Sequence, residues 1–255
     1  MSYTALAFTV LFIMITMFIS YWQKLGLEKG IAVGTIRAAV QLLAVGYVLQ
    51  AVFESRSHWL LAAIIAVMII VAARNASAKG KGIPGIFWRM AAALLATELL
   101  MMGILLLLGI IEPTPRYIIP LSGMTIGNAM VAGGLFLTQL MRESESSRGE
   151  IETLLALGAS PRQAVQGTLK RAVRYSMIPT IDGMKTVGLV QLPGMMTGMI
   201  IAGADPVEAV RYQILIVFAF TSSAAVTSML LGLLTYRKLF SDGIGMLVRY
   251  GGRGD

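Results

Sequence analysis

The chain has 255 residues, of which 56% are hydrophobic and only 13% charged, where a soluble domain carries about 25% charged residues. That balance, with the apolar residues gathered into long uncharged runs, excludes an ordinary soluble fold. With no cysteine and one histidine, His58, disulfides, Cys-based zinc sites and thiol redox motifs are excluded as well.

The uncharged runs cover 1–23, 38–53, 117–141, 186–204 and 212–236, and a bilayer-spanning helix needs about 20 apolar residues. The pattern predicts an all-α, polytopic membrane bundle in a single permease domain over 1–255. It has seven spans: 3–22, 30–53, 58–74, 88–111, 117–140, 186–204 and 211–236. The first lacks a basic leader and a small-residue cleavage site, so it reads as a retained span and not a signal peptide. Residues 251–255, Gly-Gly-Arg-Gly-Asp, read as a disordered tail.

The net charge of +8 follows from topology and gives no reason to expect nucleic acid. Of 21 basic residues, Arg56, Arg116 and Arg211 fall in one set of loops and Arg37 falls inside a span. The rest lie in the alternate loops and the C-terminal tail. The positive-inside rule then puts the N-terminus outside and the C-terminus in the cytoplasm of a bacterial inner membrane. The basic, glycine-rich stretch from Arg74 to Arg89 reads as part of this signal, with contact to anionic lipid or a partner as the other reading.

In span 2, Arg37 sits with Gln41 one turn further on, and Glu98 lies near the middle of span 4. Ionisable groups at that depth are costly and are functional by default. Glu98 is expected to face either Arg37 or a water-filled cavity; an Arg37–Glu98 pair that only fixes helix register is the alternative. In span 5, Asn128 needs a partner, across helices or along a path. The Gly123/Gly127, Gly194/Gly198 and Gly26/Gly30/Gly34 spacings allow close helix approach. Met124, Met195 and Met196 belong to a methionine group around these spans, with packing as the first reading and soft-metal ligation as the second. Glu98 is the one carboxylate placed to meet a harder metal ion.

Between spans 5 and 6, residues 141–185 form the longest segment outside the membrane. Two capped helices can be drawn in it. Ser147 and Glu150 have capping-box spacing, Gly158 suits a helix C-terminus, and Ser160, Pro161 and Gln163 open a second helix. Val165, Leu169, Ala172, Val173 and Ile178 form its apolar face. In span 6, Pro193-Gly194 interrupts the helix, as a simple kink or as backbone lining a cavity. Asp205 and Glu208 beyond it read as a solvated loop.

Glu152, Leu157, Gly158, Ala159, Ser160, Pro161 and Arg162 resemble the coupling loop of ABC-transporter permeases, with Thr153-Leu154 where that loop has Ala-Ala. Segments 73–85, 120–130, 152–160 and 191–206 extend the likeness to nearly the whole chain. They resemble the FetB-type permeases, a group named for iron export that includes plant aluminium-tolerance permeases. The resemblance implies a permease homodimer in membrane lipid, docked on a separate ABC ATPase subunit. It also implies that ATP and Mg are bound by that partner and that no cofactor is bound by this chain. The absence of a G-x-x-x-x-G-K-[ST] motif agrees with that division. Arg37, Gln41, Glu98 and Asn128 are then the candidate path. An organic or nucleotide-sugar cargo is one alternative. An ion-coupled secondary carrier using Glu98 is the other. An enzyme is not expected, because no acid–base pair or metal cage is visible.

Overall fold

A computed structural model describes residues 8–55 and 58–240. Residues 3–7 of the first predicted span, Arg56, and the tail with Arg249, Arg253 and the glycine-rich end lie outside them. The described residues form helices α1 (Val10–Trp22), α2 (Glu28–Ser55), α3 (His58–Ser77), α4 (Ile86–Leu107) and α5 (Pro115–Ser146). They continue with α6 (Arg148–Ala156), α7 (Pro161–Thr186), α8 (Gly194–Ile201) and α9 (Pro206–Thr235). No strand occurs among them, only an isolated bridge between Val187 and Gln191. Among the described residues, five helices are long and apolar enough to cross a membrane: α2, α3, α4, α5 and α9. The chain is a multi-pass helical membrane protein.

It divides into two compact units, Met1–Ser57 and His58–Asp255. In the first, α1 and α2 are joined by a tight turn in which Lys24 and Gly26 take positive φ. The Ser20 hydroxyl closes it, donating to Glu28 Oε1 at 2.8 Å and accepting from the Leu27 N–H at 3.2 Å.

In the second unit, α5 packs against α3, α4, α7 and α9. Phe136, Leu137 and Leu140 of α5 are fully buried, together with Met90, Val165, Ala172 and Leu231. Lipid tails are as apolar as leucine, so close van der Waals packing and polar contacts must supply the association within a bilayer. Both are present. Thr97 and Thr227 hydroxyls meet at 2.8 Å, and Ser176 donates to Ser228 at 3.1 Å.

The tightest glycine approaches are at Gly80, where a Cβ would sit 3.0 Å from Leu137 Cδ1, and at Gly133. A Cβ on Gly133 would sit 3.1 Å from both Leu231 Cδ1 and Met90 Cε, and Gly134 lies against Ala76. Of the pair expected from spacing, Gly123 approaches Met68 Cε and Gly127 has open space. Overpacking costs about 1–3 kcal/mol. Gly133→Val is therefore expected to lower the midpoint of thermal unfolding in detergent, while Gly127→Val leaves it in place.

The predicted span at 186–204 is not one helix. Helix α7 instead continues through Pro179 to Thr186. Its late turns lie beside the middle of α9, where the Thr221 hydroxyl donates to Met184 Sδ at 2.7 Å. The chain then leaves helical geometry at Val187, with Gly188 at φ +87, and resumes as the eight-residue α8 after Pro193. The segment is thus discontinuous: late α7, an irregular turn, then α8. The reason is local. Thr186 O is shared by the N–H groups of Leu189, Val190 and Gln191, and Pro193 has no N–H to continue a ladder. Pro179–Thr186 is helical and lies beside α9, with Asp182, Lys185 and Thr186 exposed.

Candidate coupling elbow and polar interior

Two places carry the candidate residues. The first is the elbow between α6 and α7. Gly158 takes φ +89, a left-handed conformation that ends α6 and that an L side chain rarely adopts. Ser160 then caps α7: its N–H donates to Gln163 Oε1 at 2.9 Å, and the Gln163 N–H returns to Ser160 Oγ at 3.5 Å. Pro161 occupies the first helical position. The bend is fixed by its own backbone and caps.

The expected Ser147–Glu150 box does not form. Ser147 makes no capping bond and α5 runs almost directly into α6. Its hydroxyl instead accepts from Arg171 Nη2 at 2.7 Å, while Arg171 Nε donates to Glu143 Oε2 at 2.7 Å. Arg171 thereby ties the end of α5 to α7. This pair is partly buried, while solvent-exposed pairs contribute about 1 kcal/mol or less; packing adds more to the elbow's rigidity. Ile151 and Val165 are fully buried under it, and burying such side chains from water is worth about 1.5–3 kcal/mol each.

Above that anchored base the tip is open. Leu157 is 79% exposed. Glu152, Gly158, Ser160, Pro161 and Arg162 are exposed too, and Ala159 is half-buried. Glu152 is held by Arg148, whose Nε donates to its Oε1 at 2.8 Å.

The second place is the polar interior of the 58–240 unit. Glu98 of α4 is 3% exposed. Thr125 Oγ1 donates to its Oε2 at 2.7 Å. Its Oε1 has no hydrogen-bond partner among the described residues. The buried Ser122 hydroxyl has no hydrogen-bond partner among the described residues either. Arg37 and Gln41 are exposed positions of α2 and belong to the other unit.

Asn128 finds a partner across helices. Its Nδ2 donates to Phe220 O on α9 at 2.8 Å. It also lines a cavity of about 210 Å³ between α5, α7, α9 and the 187–193 turn. Gln213, 6% exposed, lines the same cavity with an Oε1 that has no partner among the described residues. Sequence reading passed over Gln213, although an amide inside the uncharged run 212–236 was a usable signal. Met184 belongs to the cavity. Met124 and Met195 pack in an apolar cluster with Leu105, Leu121 and Ile216, and Met196 is half-buried on α8. Among the described residues no group of three or more His, Asp or Glu side chains could hold a metal ion.

Comparison with known proteins places these features in a family. The profile described as "Uncharacterised protein family (UPF0014)" matches residues 3–240. A Bacillus subtilis protein, "UPF0014 membrane protein YjkA", is 48% identical over 94% of this chain and 96% of its own length. An Escherichia coli protein named "Probable iron export permease protein FetB" is 39% identical over 93% and 92%. The Arabidopsis thaliana "Protein ALUMINUM SENSITIVE 3" is 38% identical over 85% and 79%. No solved structure matches.

Proposed function

The chain belongs to the UPF0014 family of membrane proteins, and from that premise we propose that it is the membrane subunit of an ABC transporter exporting a metal ion, with iron the first cargo to test. The observation that carries the reading is the elbow. A bend fixed by Gly158 and the Ser160–Gln163 caps presents an exposed Leu157 above a packed base. A helix lying on lipid needs no such rigid, capped corner; a plug that transmits force to a groove does. The partner ATPase binds ATP and Mg, and its closure moves the elbow. Arg171 and the Ile151–Val165 packing pass that motion to α5 and α7. The elbow and the C-terminus face the cytoplasm of a bacterial inner membrane, the N-terminus lies outside, and two copies of the chain form the permease. Iron comes to this reading from the name of the Escherichia coli relative.

The test is co-purification of the full chain with the ABC ATPase encoded nearest to it, followed by ATP-dependent iron(II) flux in proteoliposomes. A stable complex with nucleotide-dependent flux supports the reading. Flux that needs no ATPase overturns it in favour of an ion-coupled carrier, for which the half-satisfied Glu98 carboxylate would be the binding group.

A further inference from the structure

Within the 58–255 unit, the late part of α7 carries an exposed pair of opposite charges. Asp182 and Lys185 form an ion pair, with Lys185 Nζ donating to Asp182 Oδ1 at 2.9 Å, and their side chains are 61% and 68% exposed. Their depth is set by neighbours. Met184 accepts from Thr221, and Gly183 and Met184 share a cavity with Asn128 and Phe220. Between Arg211 and Arg237, α9 carries no charge. Thr221 lies ten residues inside the nearer end of that stretch, about 15 Å along the helix. The pair therefore sits deep in the bundle's apolar thickness, on the face of α7 turned away from α5 and α9.

Ionisable groups at that depth face a bundle interior or a water-filled cavity, and not lipid. We propose that the outer face of α7, from Tyr175 to Thr186, meets a second copy of this chain, and that Asp182 and Lys185 face the same pair there across a hydrated path for an ionic cargo. This rests on the dimeric permease reading above and names the face and the residues.

The chemistry of the face favours a copy of itself. It carries one acid and one base a turn apart, separated by about 4.5 Å of rise. A two-fold axis beside α7 brings each carboxylate within reach of the other copy's ammonium, so like charges need not oppose one another. Around the pair, Tyr175, Ile178 and Ile181 are 47%, 43% and 41% exposed, an apolar border suited to helix contact. Pro179 frees the Tyr175 carbonyl, and the irregular turn after Thr186 places more backbone polar groups at the same end. Non-helical backbone at depth is tolerated where it lines a cavity or is buried in protein.

The absence of cysteine makes the test direct. Single-cysteine variants Ile178→Cys, Ile181→Cys and Lys185→Cys, with Leu99→Cys on α4 as control, are oxidised in membranes that also contain the partner ATPase. The first two variants keep the ion pair, so a folding defect in Lys185→Cys leaves the contact test intact. Disulfide-linked dimers of twice 27.4 kDa are expected from the α7 positions and not from Leu99→Cys. Lys185→Cys is expected to react with a charged, membrane-impermeant thiol reagent at least tenfold faster than Leu99→Cys. Mass measurement of the purified complex counts the copies. Two copies without α7 cross-links would overturn the face. Cross-links without reagent access would overturn the hydrated path. A single copy would sink the dimeric reading itself, which separates the two failures.

Discussion

Replacing Leu157 with Asp, or Gly158 with Pro, is expected to release the partner ATPase while the membrane bundle stays folded. The two changes act differently. Leu157 stands 79% exposed at the elbow's tip, so its substitution removes apolar contact without touching the packed base. Gly158 has φ +89, whereas proline is locked near −65°. Gly158→Pro therefore re-aims the tip even though no side chain is lost. An apolar anchor at the centre of an interface is worth about 2 kcal/mol or more on truncation, which is about a thirtyfold loss of affinity. Both variants should lose co-purification and show unfolding midpoints close to wild type in detergent. Retained binding in both would mean the elbow is not the docking surface. Glu152→Lys adds a separate arm, because it breaks the local contact with Arg148. Its effect should be smaller, since an exposed pair of this kind contributes about 1 kcal/mol or less.

The elbow also shows what the amino-acid sequence carries and where it stops. Ser160, Pro161, Gln163 and Gly158 were legible because capping and a left-handed glycine are local effects, decided within a few residues. The Ser147–Glu150 box had equally good spacing and did not form: Ser147 keeps φ −96 and ψ 16 where α5 runs into α6, not the extended backbone of an N-cap, and its hydroxyl meets Arg171, 24 residues away. No local rule contains that competitor. The same holds for the segment near 186–204. Asp182 and Lys185 lower the hydropathy of late α7, so an apolar-run reading ends the segment outside the membrane. The helix nonetheless runs on to Thr186 beside α9. Glu98 and Asn128 stood out because a charge or amide in a span is rare. Gln213 has the same signature, but Gly133 and Gly134 needed the facing side chains of Met90, Leu231 and Ala76 to show their role.

Glu98→Gln is the substitution expected to separate transport from folding most cleanly. A purely structural carboxylate is hard to justify at this position. An ionised side chain at bilayer depth costs about 2.5–3.5 kcal/mol on insertion scales. The one hydrogen bond it receives, from Thr125, returns about 1.5–3 kcal/mol as a bond to a charged group. The balance is close to zero or unfavourable, and a neutral amide would keep the same bond without the charge. In Glu98→Gln the carbonyl oxygen can still accept from Thr125, while the new amide group can donate toward the neighbouring Ser122. The variant should therefore fold, bind the ATPase as wild type does, and unfold at an unchanged or slightly higher temperature. If the carboxylate meets cargo, ATP-driven flux should fall at least tenfold. Unchanged flux would remove Glu98 from the path and leave the Asn128–Gln213 cavity and the Asp182–Lys185 face as the polar routes to test. Flux lost together with ATPase binding would place the effect in the fold of α4 and α5.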